Sequence, residues 1–188
     1  MNTVRISHPL RRAQRRAQAG ITLVETTVAT SVLAVVTSLA APSFDQLMQR
    51  KRLEGAATQL ESDVHDARML AVARNAALRI SFESGAAGSC YVIHTGSAGQ
   101  CRCNADGSAS CQGNAEAERV VRFDPGGPIS LRSNAGSVLF DPMRGTSTPT
   151  ATVQLVARNG KAIHQVLNVM GRVRSCSPAP ALPGYRRC

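Results

Sequence analysis

The 188-residue chain has no tryptophan, and two tyrosines and four phenylalanines leave it poor in aromatic side chains. That poverty argues against a sugar-stacking platform or a base-stacking binder of single-stranded nucleic acid, both of which need exposed rings. Catalytic patterns are missing as well: no nucleophile motif, phosphate loop or paired-carboxylate site is recognisable, so the sequence points away from an enzyme and implies no cofactor. The histidines, His8, His65, His94 and His164, are scattered, and each reads as a surface or core residue. Carboxylates are absent from both ends. The first 20 residues carry Arg5, Arg11, Arg12, Arg15 and Arg16 and no acid, enough to account for half of the net charge of +10. After Asp141 there is again no acid, while Arg144, Arg158, Lys161, Arg172, Arg174, Arg186 and Arg187 follow. A field of that sign attracts phosphate groups or anionic lipid; a solvated basic face is the plainer reading.

What the chain does have is a membrane-length apolar run. Residues 1–20 read as a targeting leader and stand outside the fold. From Ile21 to Ala41 the only charged residue is Glu25, and a helix of that length reaches about 31 Å, matching a bilayer core. Its threonines and serines make it a weak transmembrane helix, and the arginines ahead of it predict a cytoplasmic amino end. Glu25 costs roughly 2.5 to 3.5 kcal/mol inside a membrane, so it asks for a functional reason. A secretory signal cut after Ala40 is the rival reading, and an acid in its apolar region counts against it.

Pro42 should kink the helix without ending it. Leu53, Ala56, Ala57, Leu60, Val64, Ala67, Leu70 and Ala71 recur at spacings of three and four, opposite Arg50, Lys51, Glu54, Glu61, Asp63 and Arg68, which predicts an amphipathic helix to about Asn75. Short β-rich runs follow at Leu78 to Phe82, Cys90 to Thr95, Arg119 to Phe123, Ile129 to Arg132, Val138 to Phe140, Ala151 to Ala157 and Ala162 to Met170. Asn159-Gly160 is a hairpin signal, and residues 96–118 read as a long loop tied by cysteines. The expected fold is α+β: a long amino-terminal helix packed on an antiparallel sheet or two-sheet globular domain. The divisions are leader 1–20, helix 21–75 with its transmembrane part 21–42, β-rich domain 76–174, and basic tail 175–188.

Six cysteines, Cys90, Cys101, Cys103, Cys111, Cys176 and Cys188, all lie beyond the anchor, where export would make disulfides the default. Cys176 with Cys188 is the favoured pair, and the partners of the other four stay open. Cys101-x-Cys103 with Cys111 could hold zinc, but no histidine has ligand spacing, so no metal site is expected.

Gly20-Ile21-Thr22-Leu23-Val24-Glu25, with a basic leader before it, an apolar helix after it and Pro42 at the kink position, resembles a type IV pilin precursor. The resemblance implies that a prepilin peptidase cuts after Gly20 and methylates Ile21, and that Glu25 is the acid needed for assembly. Phe is more frequent in the family at the position of Ile21. In a bundle of such helices the Glu25 carboxylate could pair with the amine of a neighbouring Ile21 and fix axial register. The resemblance also implies an inner-membrane protein with a periplasmic globular domain, later joined to other pilin subunits in a pilus or pseudopilus.

Phe140-Asp141-Pro142, a turn at Gly145, two strands and then Gly171-Arg172-Val173-Arg174 resemble the GspH/FimT group of minor pilins and pseudopilins, and the short tail suits its FimT-like members. In those members Gly-Arg-x-Arg is a DNA-binding motif used in natural transformation, which implies double-stranded DNA as a partner. On the residues alone, Gly171 would let the chain turn and approach a phosphate. Arg172 and Arg174, two apart on a strand, would share a face with their forks about 7 Å apart. Such contacts grip the backbone without reading bases. Arg186 and Arg187 would join them in a closed tail, with Arg144 and Lys161 nearby; the plainer alternative is a charged edge that discourages strand pairing. A type II secretion pseudopilin at a pseudopilus tip, or a pilus-assembly minor pilin that does not touch DNA, are the alternatives.

Overall fold

A single helix, α1 (Leu23–Arg74), opens the fold. The computed structural model describes residues 20–188, apart from the side chains of residues 39–42, so the leader ahead of Gly20 and its arginines lie outside the described residues. Thr22 explains where α1 starts. Its carbonyl accepts from Thr26 N at 3.2 Å and its hydroxyl from Glu25 N at 3.3 Å, the N-cap geometry that holds an otherwise orphaned donor. The helix therefore begins two residues later than Ile21, and Glu25 falls in its first turn, where the helix dipole favours a negative charge. Thr22-x-x-Glu25 is the spacing of a capping box.

Residues up to Pro42 and residues from Ser43 onward form two units. In the first, Leu23, Val24, Val28, Val32, Leu33, Val35 and Val36 are exposed. The hydroxyls that weaken this run as a membrane helix bond back onto its own carbonyls, Thr30 to Thr26 and Ser31 to Thr27 among them. Each hydroxyl donor is thereby satisfied inside the helix, which suits an apolar surrounding. By length and composition this helix is able to cross a membrane.

In the second unit the stripe predicted on α1 does the packing. Leu53, Ala57, Leu60, Val64, Ala67 and Ala71 are buried, with Ala56 and Leu70 partly so. Against them lie eleven strands: β1 (Leu78–Gly85), β2 (Gly88–Thr95), β3 (Cys101–Cys103), β4 (Ala109–Cys111), β5 (Ala117–Phe123), β6 (Ile129–Ser133), β7 (Ser137–Phe140), β8 (Ser147–Thr148), β9 (Ala151–Ala157), β10 (Ala162–Leu167) and β11 (Val173–Cys176). They form a five-stranded sheet, β5-β2-β1-β7-β8, a four-stranded sheet, β11-β10-β9-β6, and the hairpin β3-β4, every pair antiparallel. Ile80, Tyr91 and Phe140 from one sheet and Leu131, Leu155 and Ile163 from the other join the helix stripe in one core, each large apolar side chain contributing about 1.5 to 3 kcal/mol.

Four expectations need correction. Asp63 is not on the solvent side: it is fully buried, bonded by Tyr91 Oη at 2.6 Å and Gln59 Nε2 at 2.9 Å and ion-paired with Arg119. Residues 96–118 contain β3 and β4, with Cys101 directly opposite Cys111. Cross-strand half-cystines supply the closure that a run of Gly, Ser and Ala lacks in side-chain packing. The run Ala162 to Met170 ends at Leu167, because Asn168 turns the chain: its side-chain oxygen accepts from Met170 N and Arg172 N, both at 3.0 Å. Arg172 consequently lies in the turn rather than on β11.

Candidate functional site

Two turns and one helix side chain organise the basic end. Asp141 caps the first turn, its Oδ1 accepting from Met143 N at 2.9 Å and Arg144 N at 2.7 Å, and the turn closes at Gly145 with a φ of 61°. The second turn, after β10, closes at Gly171 with a φ of 70° and leads into β11. Arg68 reaches from α1 between them. Its Nε donates to Gly145 O at 2.7 Å. A Cβ on Gly171 would lie 2.6 Å from Arg68 Cδ, 2.9 Å from its Nε and 3.2 Å from Gly145 O. Gly171 is therefore buried against Arg68, and its missing side chain admits that arginine and not a phosphate, which corrects the role predicted for it.

The structure brings some of the predicted cations together and separates others. Arg172 and Arg174 are both exposed, with the half-buried Val173 between them anchored on the core. Arg144 and Arg172 are the chain neighbours of Gly145 and Gly171, the two glycines that meet Arg68, so their backbones approach each other at that junction. Lys161 and the tail belong to the other end of β10. Ser177 Oγ donates to Ala162 O at 2.8 Å, and Ser177 pairs with Arg187, so Arg186 and Arg187 sit with Lys161 at the far end of that six-residue strand, about 17 Å away. The cations form two groups, not one.

The tail is closed as predicted, by a disulfide between Cys176 and Cys188. Leu182 is buried, and Arg50 Nη2 holds Pro183 O at 2.9 Å, so the loop lies against α1. There it meets acids that the linear sequence places elsewhere. Burial and the nearby Glu54 and Glu61 carboxylates push the Tyr185 hydroxyl pKa up, and Ser175 Oγ donates to Glu61 at 3.3 Å. The acid-free stretch after Asp141 is thus not acid-free in space. Even so, Arg144, Lys161, Arg172, Arg174, Arg186 and Arg187 make no ion pair among the described residues.

The remaining predicted residues are structural or terminal. Cys90 pairs with Cys103 and Cys101 with Cys111, so these sulfurs are joined to one another. His94 is buried, donating from Nδ1 to Thr95 O at 2.6 Å while Nε2 takes the Ser81 hydroxyl at 2.8 Å, which fixes one tautomer. His65 is exposed on α1, and His164 is half-buried on β10. Gly20 and Ile21 are exposed ahead of α1, with open space around Gly20. Arg68, which the sequence reading placed on a polar helix face, is the site residue that reading missed; the paired glycines at 145 and 171 are its signal, visible only once the two turns meet.

Residues 56–171 match the family model described as type II transport protein GspH. In fold the chain resembles the crystal structure of the type IV minor pilin FimU from Pseudomonas aeruginosa strain PAO1, with a TM-score of 0.51 and 17% sequence identity over 69% of this chain and 95% of that one. No curated protein matches the sequence. The long helix on antiparallel sheets is the type IV pilin fold.

Proposed function

The chain belongs to the GspH family, and from that premise we propose that it is a FimT-like minor pilin that binds double-stranded DNA without sequence preference during natural transformation. One observation carries the reading: the seven cations beyond Asp141 are left without a carboxylate partner among the described residues, two of them on either side of an anchored Val173. Unpaired arginines at fixed positions grip a phosphate backbone by charge and release of counterions. On this reading the protein is a binding and assembly component and not an enzyme. A prepilin peptidase cuts after Gly20 and methylates Ile21, Glu25 sets register against neighbouring subunits, and the helix holds the chain in the inner membrane with its globular part in the periplasm until assembly.

The test is duplex binding by the full chain in zwitterionic lipid nanodiscs, for the natural sequence and for Arg172→Gln with Arg174→Gln. The double variant should bind less tightly and show a salt slope smaller by about two, close to one per lost phosphate contact. Equal affinity and slope would remove these two residues from the interface. The matched family's description favours a second reading, a type II secretion pseudopilin at a pseudopilus tip. A deletion strain that stops secreting protein while transforming normally would select it.

A further inference from the structure

We infer that Arg68 is itself a DNA contact, seating a phosphodiester group in the groove between α1 and the start of β11; the inference rests on the DNA-binding reading above. Thr58, Glu61, Ser62, His65, Arg68 and Arg172 line that groove. Among the described residues Arg68 is half-buried without a carboxylate in ion-pair distance, and its one hydrogen bond, Nε to Gly145 O, leaves both Nη groups unbonded. Neither Nη is among the buried atoms left without a partner, so both are open to an incoming anion, and a charge-assisted bond to a phosphate oxygen is stronger than one between neutral groups.

The same contacts make Arg68 a preformed seat. Two turns close on its stem, and one backbone carbonyl orients the fork, so binding a phosphate would cost little side-chain ordering. A planar fork held in this way suits two oxygens of one phosphate, and the exposed Arg172 beside it takes the adjoining group along the strand. Ser62 adds a hydroxyl to the same wall. Glu61 is the one carboxylate on the groove; it accepts the Ser175 hydroxyl, and its charge confines an incoming backbone to the Arg68 end. The linear Gly-Arg-x-Arg motif thus has a third cation supplied by the helix, and its glycine is there to let that cation through.

The test uses the full chain in zwitterionic nanodiscs, with a short fluorescent duplex titrated at several salt concentrations. Arg68→Gln should weaken binding about tenfold and reduce the salt slope by about one, whereas Arg68→Lys should restore the slope and only part of the affinity because it lacks the fork. Because Arg68 also supports two turns, arginine side-chain NMR of the unmutated chain gives an independent reading: the Arg68 Nη signals should shift on adding duplex, together with those of Arg172. If the Arg172 and Arg174 variant loses binding while Arg68→Gln remains folded and binds normally, or if the Arg68 signals stay still, Arg68 is not a contact and the DNA reading survives. Shifts with inorganic phosphate but none with duplex also overturn the inference. If the natural chain binds no duplex at all, the DNA reading itself falls and takes this seat with it.

Discussion

The ion-paired cations ahead of Asp141 and the unpaired cations behind it are put to different uses. Arg50, Lys51, Arg74, Arg119 and Arg122 each hold a carboxylate. Two of these pairs join distant parts of the chain: Arg74 at the end of α1 to Glu118 on β5, and Arg119 on β5 to Asp63 on α1. Behind Asp141 no lysine or arginine has such a partner among the described residues, although Arg158 bonds the Gly126 carbonyl. In the first set Arg74 and Arg119 fasten the helix to a sheet, and the second set leaves charge for an outside partner. Net charge does not distinguish these uses; what does is where the acids end up after folding.

The sharpest way to break the comparison is to remove the buried acid. Asp63→Ala leaves the Tyr91 hydroxyl without its acceptor in the core and unpairs Arg119, and should cost about 3 kcal/mol of stability while leaving the affinity for duplex DNA unchanged. Thermal unfolding of the full chain in detergent measures the first, and duplex titration the second. Next in size is the tail. Cys176→Ser with Cys188→Ser opens a loop of sequence separation 12 and should cost about 2 kcal/mol. It should also free the backbone of Arg186 and Arg187, lowering DNA affinity by less than the loss of Arg172 and Arg174. Arg172→Gln with Arg174→Gln is the mirror image of Asp63→Ala: both side chains are exposed and make no ion pair among the described residues, so stability should move by less than about 0.5 kcal/mol while binding falls. A fall in melting temperature like that of Asp63→Ala would mean that these arginines are structural.

Much of this arrangement is legible in residue order, and the unreadable part has physical causes. The stripe from Leu53 to Ala71 identifies the buried side of α1 because helix periodicity is local. The alternation of β9 and the turn at Asn159-Gly160 between β9 and β10 are equally local. Asp63 escapes because a polar residue is counted as solvent-facing by default, while its burial depends on Tyr91 and Arg119 arriving from other strands. The hairpin β3-β4 escapes because its three-residue strands are held by cystines, whose pairing no spacing rule decides. The seat at Arg68 depends on two turns meeting around a helix residue, and nothing in the order of residues 68, 145 and 171 announces that contact.

The smallest effect expected is on the paired side, and its pH dependence has a definite sign. The Arg50 and Lys51 head groups hydrogen-bond the Glu54 carboxylate at 2.7 and 2.9 Å, and these bonds, that from Lys51 first, hold its pKa below the ordinary glutamate value. In the unfolded chain Glu54 returns to about 4.3. Above that value both states carry the charge and the folded state gains from the pairing. As pH falls through it, the unfolded chain takes up the proton first and the gain is lost progressively down to the depressed folded value. Glu54→Gln should therefore lower stability by no more than about 0.5 kcal/mol at neutral pH, the range for exposed pairs within one helix, and the gap from the natural chain should close as pH falls below about 4. High salt should shrink the same gap at neutral pH. A gap that widened in acid would show that the pairing contributes nothing to the folded state, and would remove Arg50 and Lys51 from the set of cations that the fold uses.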